Sequence, residues 1–197
     1  MSYICLPCEY CNIYHNSRDC PLEKNIAPVM KKIVGMYMEQ FVANEICCPR
    51  CHKKTLEPLC THAPSLDIIC STCSTKFEIK SKCMSSKVLP NDLVFNHGNY
   101  NDYINRQKNG LDIILIVYSV CRKTKIISIR NVFYVSNENV KNNNCIKVIK
   151  KPDSSLSQII VPNYKKLCNI TTNNKYSYDF SENINSIINT ARCLIID

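Results

Sequence analysis

The sequence has no uninterrupted apolar run of about 18 residues, the length that a helix needs to span a membrane. It begins Met-Ser-Tyr-Ile-Cys-Leu-Pro-Cys, without the basic start and the apolar stretch of a secretory signal. No segment repeats along the chain. We therefore expect an intracellular protein of the reducing cytoplasm or nucleus, or of a virion if the chain is viral, with no membrane partner.

The composition is that of a folded domain with an excess of positive charge. The chain has 197 residues, of which 45% are hydrophobic, enough for one domain with a buried core and a small appendage. The formal net charge is +9, which favours a polyanionic partner such as DNA.

Cysteine is abundant and unevenly distributed. Of the fifteen cysteines, eleven lie in the first 83 residues. Without an oxidising compartment, cysteines at Cys-x-x-Cys spacing are metal ligands more often than disulfide partners. Metal binding is therefore expected in the N-terminal half of the chain.

The first cysteine cluster has the spacing of a small zinc site. Read as Cys-x2-Cys-x3-His-x4-Cys, it offers four ligands: Cys8, Cys11, His15 and Cys20. A segment this short has no core of its own, and tetrahedral Zn²⁺ takes four nitrogen or sulfur donors. Cys5 is an alternative to His15, and a tail of free thiols is the alternative to a metal site. The segment resembles the zinc knuckle of nucleic-acid-binding proteins, but it differs by one residue before the histidine and lacks the knuckle's glycines.

The second cluster consists of two Cys-x2-Cys pairs separated by 18 residues. Its members are Cys48, Cys51, Cys70 and Cys73. This is the pattern of a closed, four-thiolate structural zinc site. Cys47, Cys60 and His62 are nearby alternative ligands, and chance placement in a cysteine-rich chain is the competing explanation.

Apolar periodicity predicts a mixed α/β fold. The apolar stripe in 27–43 is spaced i, i+3, i+4, i+7 and predicts a helix with Pro28 in its first turn. Short strands are expected at 66–69 and 76–80, joined by the second Cys-x-x-Cys turn. The run LDIILIVYSV at 111–120 is typical of a strand that is buried on both faces.

Other segments have weaker patterns. Residues 46–62 are expected to be irregular and 91–109 polar and turn-rich, whereas 125–135 favours a strand or strand pair. The remaining expectations are a loop at 140–145, a weaker strand at 159–161 and a final helix at 182–195.

Three charged residues converge on the predicted hairpin. Glu78 and Lys80 are two apart on a strand and share a face, whereas Phe77 and Ile79 point to the core. A hairpin turn at 71–74 lies midway between Asp67 and Glu78 and brings these two residues opposite each other. Carboxylates suit Mg²⁺, and a lysine can orient or deprotonate a metal-bound water. The alternative is an ordinary solvated strand face.

One continuous pattern links these charged residues to the cysteine pairs. It reads Cys48-Pro-Arg-Cys51, then Asp67 three residues before Cys70-Ser-Thr-Cys73, then Phe77-Glu78-Ile-Lys80-Ser-Lys82. The pattern resembles the catalytic domain of the DpnI-like methyl-directed restriction endonucleases, with no gap between Asp67 and Lys80. The resemblance covers roughly 27–166, where Glu39 and Phe41 also fall at matching positions, and it is specific over 48–82.

The resemblance implies a PD-(D/E)xK, restriction-endonuclease-like α/β core, with a mixed sheet flanked by helices and a zinc-stabilised hairpin. In such a core Asp67 and Glu78 would hold Mg²⁺ and Lys80 would serve the attacking water. The family's C-terminal winged helix does not fit into the 31 residues after position 166. Methyl-dependent specificity is therefore not carried over with the catalytic residues.

These observations predict a Mg²⁺-dependent DNA endonuclease that hydrolyses phosphodiester bonds and holds one or two structural Zn²⁺ ions. Residues 1–24 would form the zinc-binding appendage and 25–197 the nuclease-like domain. Basic residues that follow the catalytic strand are candidate DNA contacts: Lys82, Lys87, Arg106 and Lys108. The alternatives are a catalytically inactive, zinc-stabilised nucleic-acid-binding protein and a structural protein whose basic charge is incidental.

Overall fold

The computed structural model describes residues 21–59, 66–84, 90–121, 126–141, 146–152, 154–162, 164, 167–170 and 177–179. The predicted N-terminal zinc segment and the predicted helix at 182–195 lie outside these residues. The split into 1–24 and 25–197 stays a prediction.

The first element is a long helix, α1, Pro21–Glu45. It begins six residues before the predicted start, so the expectation that Pro28 lies in the first turn is wrong. Pro21 is the first residue of the helix, a position where the missing N–H costs no hydrogen bond. The predicted apolar stripe is confirmed where side chains are described, since Val34, Met38 and Val42 are buried.

The cysteine-rich region folds into three short antiparallel strands. They are β1 Leu56–Pro58, β2 Ile68–Cys70 and β3 Lys76–Cys83. The predicted hairpin is confirmed, because Ile68 pairs with Phe77 and Ile69 pairs with Lys76. Strand β1 lies in a region that was expected to be irregular, and it pairs with β2 along its whole length.

The hairpin forms one side of a seven-stranded mixed sheet. Its other strands are β5 Asp112–Cys121, β6 Ile126–Val135, β9 Cys168–Asn169 and β10 Ser177–Asp179. The order is β1-β2-β3-β5-β6-β10, with β9 also pairing with β6. Strands β3 and β5 are parallel, whereas β5 and β6 are antiparallel. The long buried strand predicted at 111–120 is confirmed.

A second, three-stranded antiparallel sheet was not expected from the sequence. It contains β4 Asp92–Asn99, β7 Lys147–Lys150 and β8 Leu156–Pro162 in the order β4-β8-β7. Helix α2, Tyr100–Lys108, follows β4, and helix α3, Asn137–Lys141, follows β6. The expectation that 91–109 is turn-rich was therefore wrong. Leu93 and Phe95 alternate inward from β4, and their burial outweighs the polar composition around them.

The large sheet has a hydrophobic core on each face. Ile114 and Ile116 of β5 pack with α1 residues, whereas Ile113 and Leu115 pack with β4, β8 and α2. All four side chains are 0% exposed, which explains the uninterrupted apolar sequence of the strand. The layers are thus α1, the large sheet, and the small sheet with α2.

Helix α2 ends at a glycine. Gly110, with φ of 78°, donates its N–H to the Gln107 carbonyl at 3.2 Å and ends α2 immediately before β5.

None of the helices described here is both long enough and apolar enough to cross a bilayer.

Candidate active site and metal centre

The four cysteines of the second cluster converge on one point. The Sγ atoms of Cys48 and Cys73 are 3.6 Å apart, as are those of Cys51 and Cys70. All four sulfurs lie within 4.8 Å of one another. A disulfide would bring two sulfurs to about 2.05 Å, whereas tetrahedral Zn²⁺ with bonds of about 2.3 Å separates its sulfur ligands by about 3.8 Å. The group can therefore hold a structural metal ion such as zinc.

The two cysteine pairs belong to matching turns. His52 N–H donates to the Cys48 carbonyl at 2.8 Å, and Ser74 N–H donates to the Cys70 carbonyl at 2.8 Å. The residue after each pair has a left-handed backbone, with φ of 60° at His52 and 57° at Ser74. Neither residue is a glycine, so each turn carries a local conformational cost. A metal bound by both turns would offset that cost.

Hydroxyl groups surround the sulfurs. Thr55 Oγ1 lies 3.3 Å from Cys70 Sγ, and Thr75 Oγ1 lies 3.1 Å from Cys73 Sγ. Burial raises the pKa of the Cys70 thiol, but hydrogen bonds from Thr55 and from Cys73 outweigh it and lower the pKa to about 6. The same donors would stabilise a metal-bound thiolate.

Arg50 anchors the first cysteine turn to the large sheet. Its Nε and Nη2 donate to the two carboxylate oxygens of Asp112 at 2.8 and 3.2 Å. The Asp112 side chain is 1% exposed and also accepts from Tyr134 Oη at 2.7 Å and from Asn137 N–H at 2.8 Å. The hydrogen bonds to Asp112 raise the pKa of Arg50. The candidate metal centre is thereby connected to the start of β5, the parallel neighbour of β3.

The three charged residues predicted for catalysis lie together at the far end of the same hairpin. The register of β2 and β3, continued by one residue, sets Asp67 across from Glu78. Asp67 Oδ2 accepts from Ile79 N–H at 2.7 Å, and Lys80 Nζ lies 2.7 Å from Glu78 Oε1. The Glu78 side chain is 0% exposed and that of Lys80 is 23% exposed. A buried carboxylate, a second carboxylate and an ammonium group thus share a small region at the sheet surface.

Glu39 of α1 is a further carboxylate near Asp67 and Lys80. Burial raises its pKa, the nearby charge of Asp67 raises it further, and Lys80 partly opposes both effects. The neighbouring residues Met38 and Val42 are 0% exposed, which fixes this face of α1 against the sheet. Glu39 lies outside the hairpin motif, and its matching position in the family resemblance is what singled it out in the sequence. The other signal for Glu39 was that it is a single acidic residue beside the apolar stripe of α1.

Tyr103 of α2 approaches Glu78 from the opposite layer. Its side chain is 3% exposed. Burial and the charge of Glu78 raise the pKa of Tyr103, so the phenol remains protonated at neutral pH. Nothing in the sequence around Tyr103 indicated this proximity, because it depends on how α2 folds back over the sheet.

The remaining predicted residues are placed as follows. Lys82 continues the face of Glu78 and Lys80 along β3 and is half-buried. Lys108 is exposed at the end of α2. Arg106 lies on α2, but its side chain is outside the described residues, as are Lys87 and the four predicted N-terminal zinc ligands Cys8, Cys11, His15 and Cys20.

The sequence is similar to a known protein family. A search of curated proteins found no relative. A family model, described as DpnI, the Dam-replacing family, matches residues 22–177. The match includes α1, both cysteine pairs, the three charged residues of the hairpin and most of both sheets. Since it covers well over half of the sequence, the chain belongs to the DpnI, or Dam-replacing, family.

Proposed function

We propose that the protein is a Mg²⁺-dependent DNA endonuclease in which Asp67, Glu78 and Lys80 form the hydrolytic site. Membership of the DpnI family supports a restriction-type nuclease with DNA as substrate and a role related to DNA modification. The assignment to the PD-(D/E)xK class, the magnesium ion and the roles of the individual residues are part of this proposal.

The observation that carries the proposal is the geometry at the end of the hairpin. A 0% exposed carboxylate, Glu78, is held 2.7 Å from an ammonium group that reaches the surface. Asp67 is held beside it by the Ile79 N–H at 2.7 Å. Keeping a charged pair buried costs desolvation free energy. Such buried ionisable groups cluster at functional sites, where the reaction uses their charge.

The donor set suits a hard divalent cation. Asp67, Glu78 and Glu39 offer only carboxylate oxygens, which Mg²⁺ prefers to sulfur or nitrogen. The raised pKa of Glu39 reflects the burial of that carboxylate and its repulsion by Asp67. A bound Mg²⁺ would polarise the scissile phosphoryl group and stabilise its developing charge.

Lys80 has a defined role in this arrangement. Paired with Glu78, its ammonium group donates hydrogen bonds, and its exposed portion can orient a water molecule or a phosphate oxygen. In the reaction, the water oxygen bonds to phosphorus, the bond from phosphorus to the leaving sugar oxygen breaks, and that oxygen takes up a proton. Hydrolysis needs no other reactant.

The two cysteine turns support this site indirectly, by holding the hairpin that carries it. Cys70 ends β2 and Cys73 lies in the turn before β3, so a metal at the four sulfurs fixes the register that brings Asp67 to Glu78. Structural zinc sites contribute folding free energy in this way.

The proposal is tested by plasmid cleavage with Mg²⁺, on methylated and unmethylated DNA in parallel. We expect Asp67→Asn and Glu78→Gln each to slow cleavage by at least about 100-fold, as loss of a polar group that acts on the transition state does. Glu57→Gln, which removes an exposed carboxylate from β1 of the same sheet, is the matched control and should keep full activity. Zinc content and melting temperature are measured for each variant.

Two outcomes would contradict the proposal. One is wild-type protein that holds zinc and binds DNA but cuts no DNA with Mg²⁺ or Mn²⁺. The other is folded Asp67→Asn protein that cleaves as fast as the wild type. The first would favour a zinc-stabilised DNA-binding protein without catalysis.

A further inference from the structure

A cavity lies beside the proposed hydrolytic site, between α2, α3 and β7. Its volume is about 350 Å³. The lining residues come mainly from α2, with one residue each from α3 and β7: Tyr100, Tyr103, Ile104, Gln107, Lys108, Val140 and Val148. The volume is within the range of small-molecule binding sites. Tyr103 lies on the wall of the cavity and is also within electrostatic reach of Glu78, so the cavity adjoins the proposed site.

One buried polar group in this cavity has no partner among the described residues. Gln107 is 6% exposed, and its Nε2 makes no hydrogen bond there. Buried amide donors are almost always satisfied, because desolvating an unpaired N–H is costly. An unpaired donor on a cavity wall therefore indicates a ligand that carries an acceptor.

The surrounding hydrogen bonds decide which end of the Gln107 amide is the donor. Asn137 Nδ2 lies 2.9 Å from the backbone carbonyl of Gln107 and 3.3 Å from that of Leu111. Since both are acceptors, this atom of Asn137 must be the NH₂ group. It also lies 2.7 Å from the Gln107 side chain, so the atom that it meets there must be Oε1. Nε2 is then the group left to donate to a ligand.

The lining defines the chemistry of that ligand. Ile104, Val140 and Val148 form apolar walls, Tyr100 adds an aromatic ring, and Lys108 is exposed at the edge. A nucleobase has apolar faces, acceptors on its edge and a phosphate nearby, and it is bound in proteins by such combinations of stacking and edge hydrogen bonds. A simple anion does not suit the apolar walls, and a purely apolar ligand would leave Gln107 unpaired.

We propose that this cavity binds a nucleobase of the DNA strand, unstacked from its neighbours, with Gln107 Nε2 donating to the base edge and Lys108 contacting the backbone phosphate. The proposal rests on the proposed function for its substrate, DNA. It adds a base-binding site to the hydrolytic residues.

Two variants change the cavity, and one serves as control. Val148→Trp fills the space from β7. Ile149→Trp adds the same side chain at the next position, which is 42% exposed and not part of the cavity lining. Gln107→Glu keeps the acceptor that Asn137 contacts but replaces the donor with an oxygen. Melting temperature and zinc content show whether each variant is folded.

The main measurement uses duplexes that the wild-type protein cleaves, with 2-aminopurine placed at one position at a time around the cut. Ca²⁺ replaces Mg²⁺ so that the DNA stays intact. We expect a several-fold rise in fluorescence at one position with wild-type and Ile149→Trp protein. Val148→Trp should show no rise, and Gln107→Glu should weaken DNA binding by at least about tenfold.

A second measurement does not depend on cleavage. Each of the four deoxynucleoside 5′-monophosphates is titrated calorimetrically into the wild-type protein and into the two tryptophan variants. Binding of one of them that Val148→Trp abolishes and Ile149→Trp retains supports the base site. It does so even if the protein proves not to be a nuclease.

The outcomes are distinguishable. Cleavage with neither a fluorescence rise at any position nor binding of any nucleotide overturns the base site and leaves the proposed function intact. Binding of free nucleotides without any fluorescence rise overturns DNA as the source of the base. Failure of all four nucleotides to bind, with no fluorescence change, overturns the proposal completely, as does equal behaviour of folded Val148→Trp and Ile149→Trp.

Discussion

The ion pair of Glu78 and Lys80 makes stability and the proposed chemistry depend on the same atoms. The Glu78 carboxylate has no exposed surface, and Lys80 Nζ lies 2.7 Å from its Oε1. Removing one partner of a buried pair leaves the other charge uncompensated. Loss of activity in a Lys80 variant therefore has to be separated from loss of fold.

We expect Lys80→Ala to lower the free energy of unfolding by on the order of 3 kcal/mol, because the buried carboxylate loses its counter-charge. Urea unfolding at pH 7 measures this change. The double variant Glu78→Gln, Lys80→Met should recover much of the loss, since neither charge remains. Lys76→Ala, at an exposed position of the same strand, is the control and should unfold like the wild type. Equal stability of Lys80→Ala and Lys76→Ala would show that the pair is not buried.

Glu39 gives a pH-dependent prediction. Burial and the charge of Asp67 raise its pKa in the folded protein, so ionisation of Glu39 at neutral pH disfavours the fold. We expect Glu39→Gln to raise the melting temperature at pH 7, measured without added Mg²⁺. The gain should disappear as the pH falls below about 4.3, where the carboxyl is protonated in both the folded and the unfolded wild type.

Glu45→Gln removes a charge from the same helix and is the matched control for this experiment. A gain that is independent of pH, or equal in the two variants, would exclude the environment assigned to Glu39.

At the scale of elements, the cysteine turns and the β2–β3 hairpin are one unit. The second turn joins β2 to β3, and the first is attached to β5 by the bidentate contact of Arg50 with Asp112. The first turn is therefore fixed to β5, the strand that pairs with β3 of the hairpin. Disrupting the candidate metal centre should therefore disturb the proposed hydrolytic site without changing its residues.

Adjacent cysteines allow a matched test of the metal centre. We expect Cys48→Ser to lower zinc content by one equivalent per chain and to lose most soluble protein, because Cys48 is a buried member of the four-sulfur group. Cys47→Ser changes the exposed neighbour and should keep both zinc and solubility. Metal analysis by mass spectrometry measures the zinc. Wild-type protein with less than one zinc per chain would remove this interpretation of the turns.

At the scale of the whole molecule, the formal net charge of +9 predicts that the affinity for DNA depends on salt concentration. Binding that neutralises phosphates releases counterions, so the logarithm of the association constant falls with the logarithm of salt by about 0.9 per phosphate contacted. Lys82 and Lys108 are the described candidates for such contacts.

We expect Lys82→Ala to reduce the magnitude of that slope by about 0.9, as loss of one phosphate contact does. Lys54→Ala, which removes an exposed lysine next to the first cysteine turn, is the control for the loss of one charge. Fluorescence anisotropy between low and moderate salt measures both slopes. A wild-type affinity that does not change with salt would contradict phosphate binding.

Local patterns in the sequence determined the parts of this protein whose interactions lie close along the chain. The turn that contains Cys73 is short, so the sequence was enough to predict the β2–β3 register that sets Asp67 across from Glu78. The β-branched run of β5 likewise required burial on both faces. The resemblance over 27–166, carried by the same motif, is confirmed by the family match over 22–177.

Only the tertiary structure decided what depends on distant parts of the chain. Arg50 and Asp112 are 62 positions apart, and they meet because β3 pairs in parallel with β5. Strand β4 and helix α2 form in a polar stretch because Leu93, Phe95 and Tyr103 gain burial against β5 and β6. The position of Glu39 near Asp67 and the cavity lined by Gln107 also depend on the packing of distant segments. Side-chain alternation and turn length act over a few residues, whereas burial depends on which surfaces the completed fold brings together.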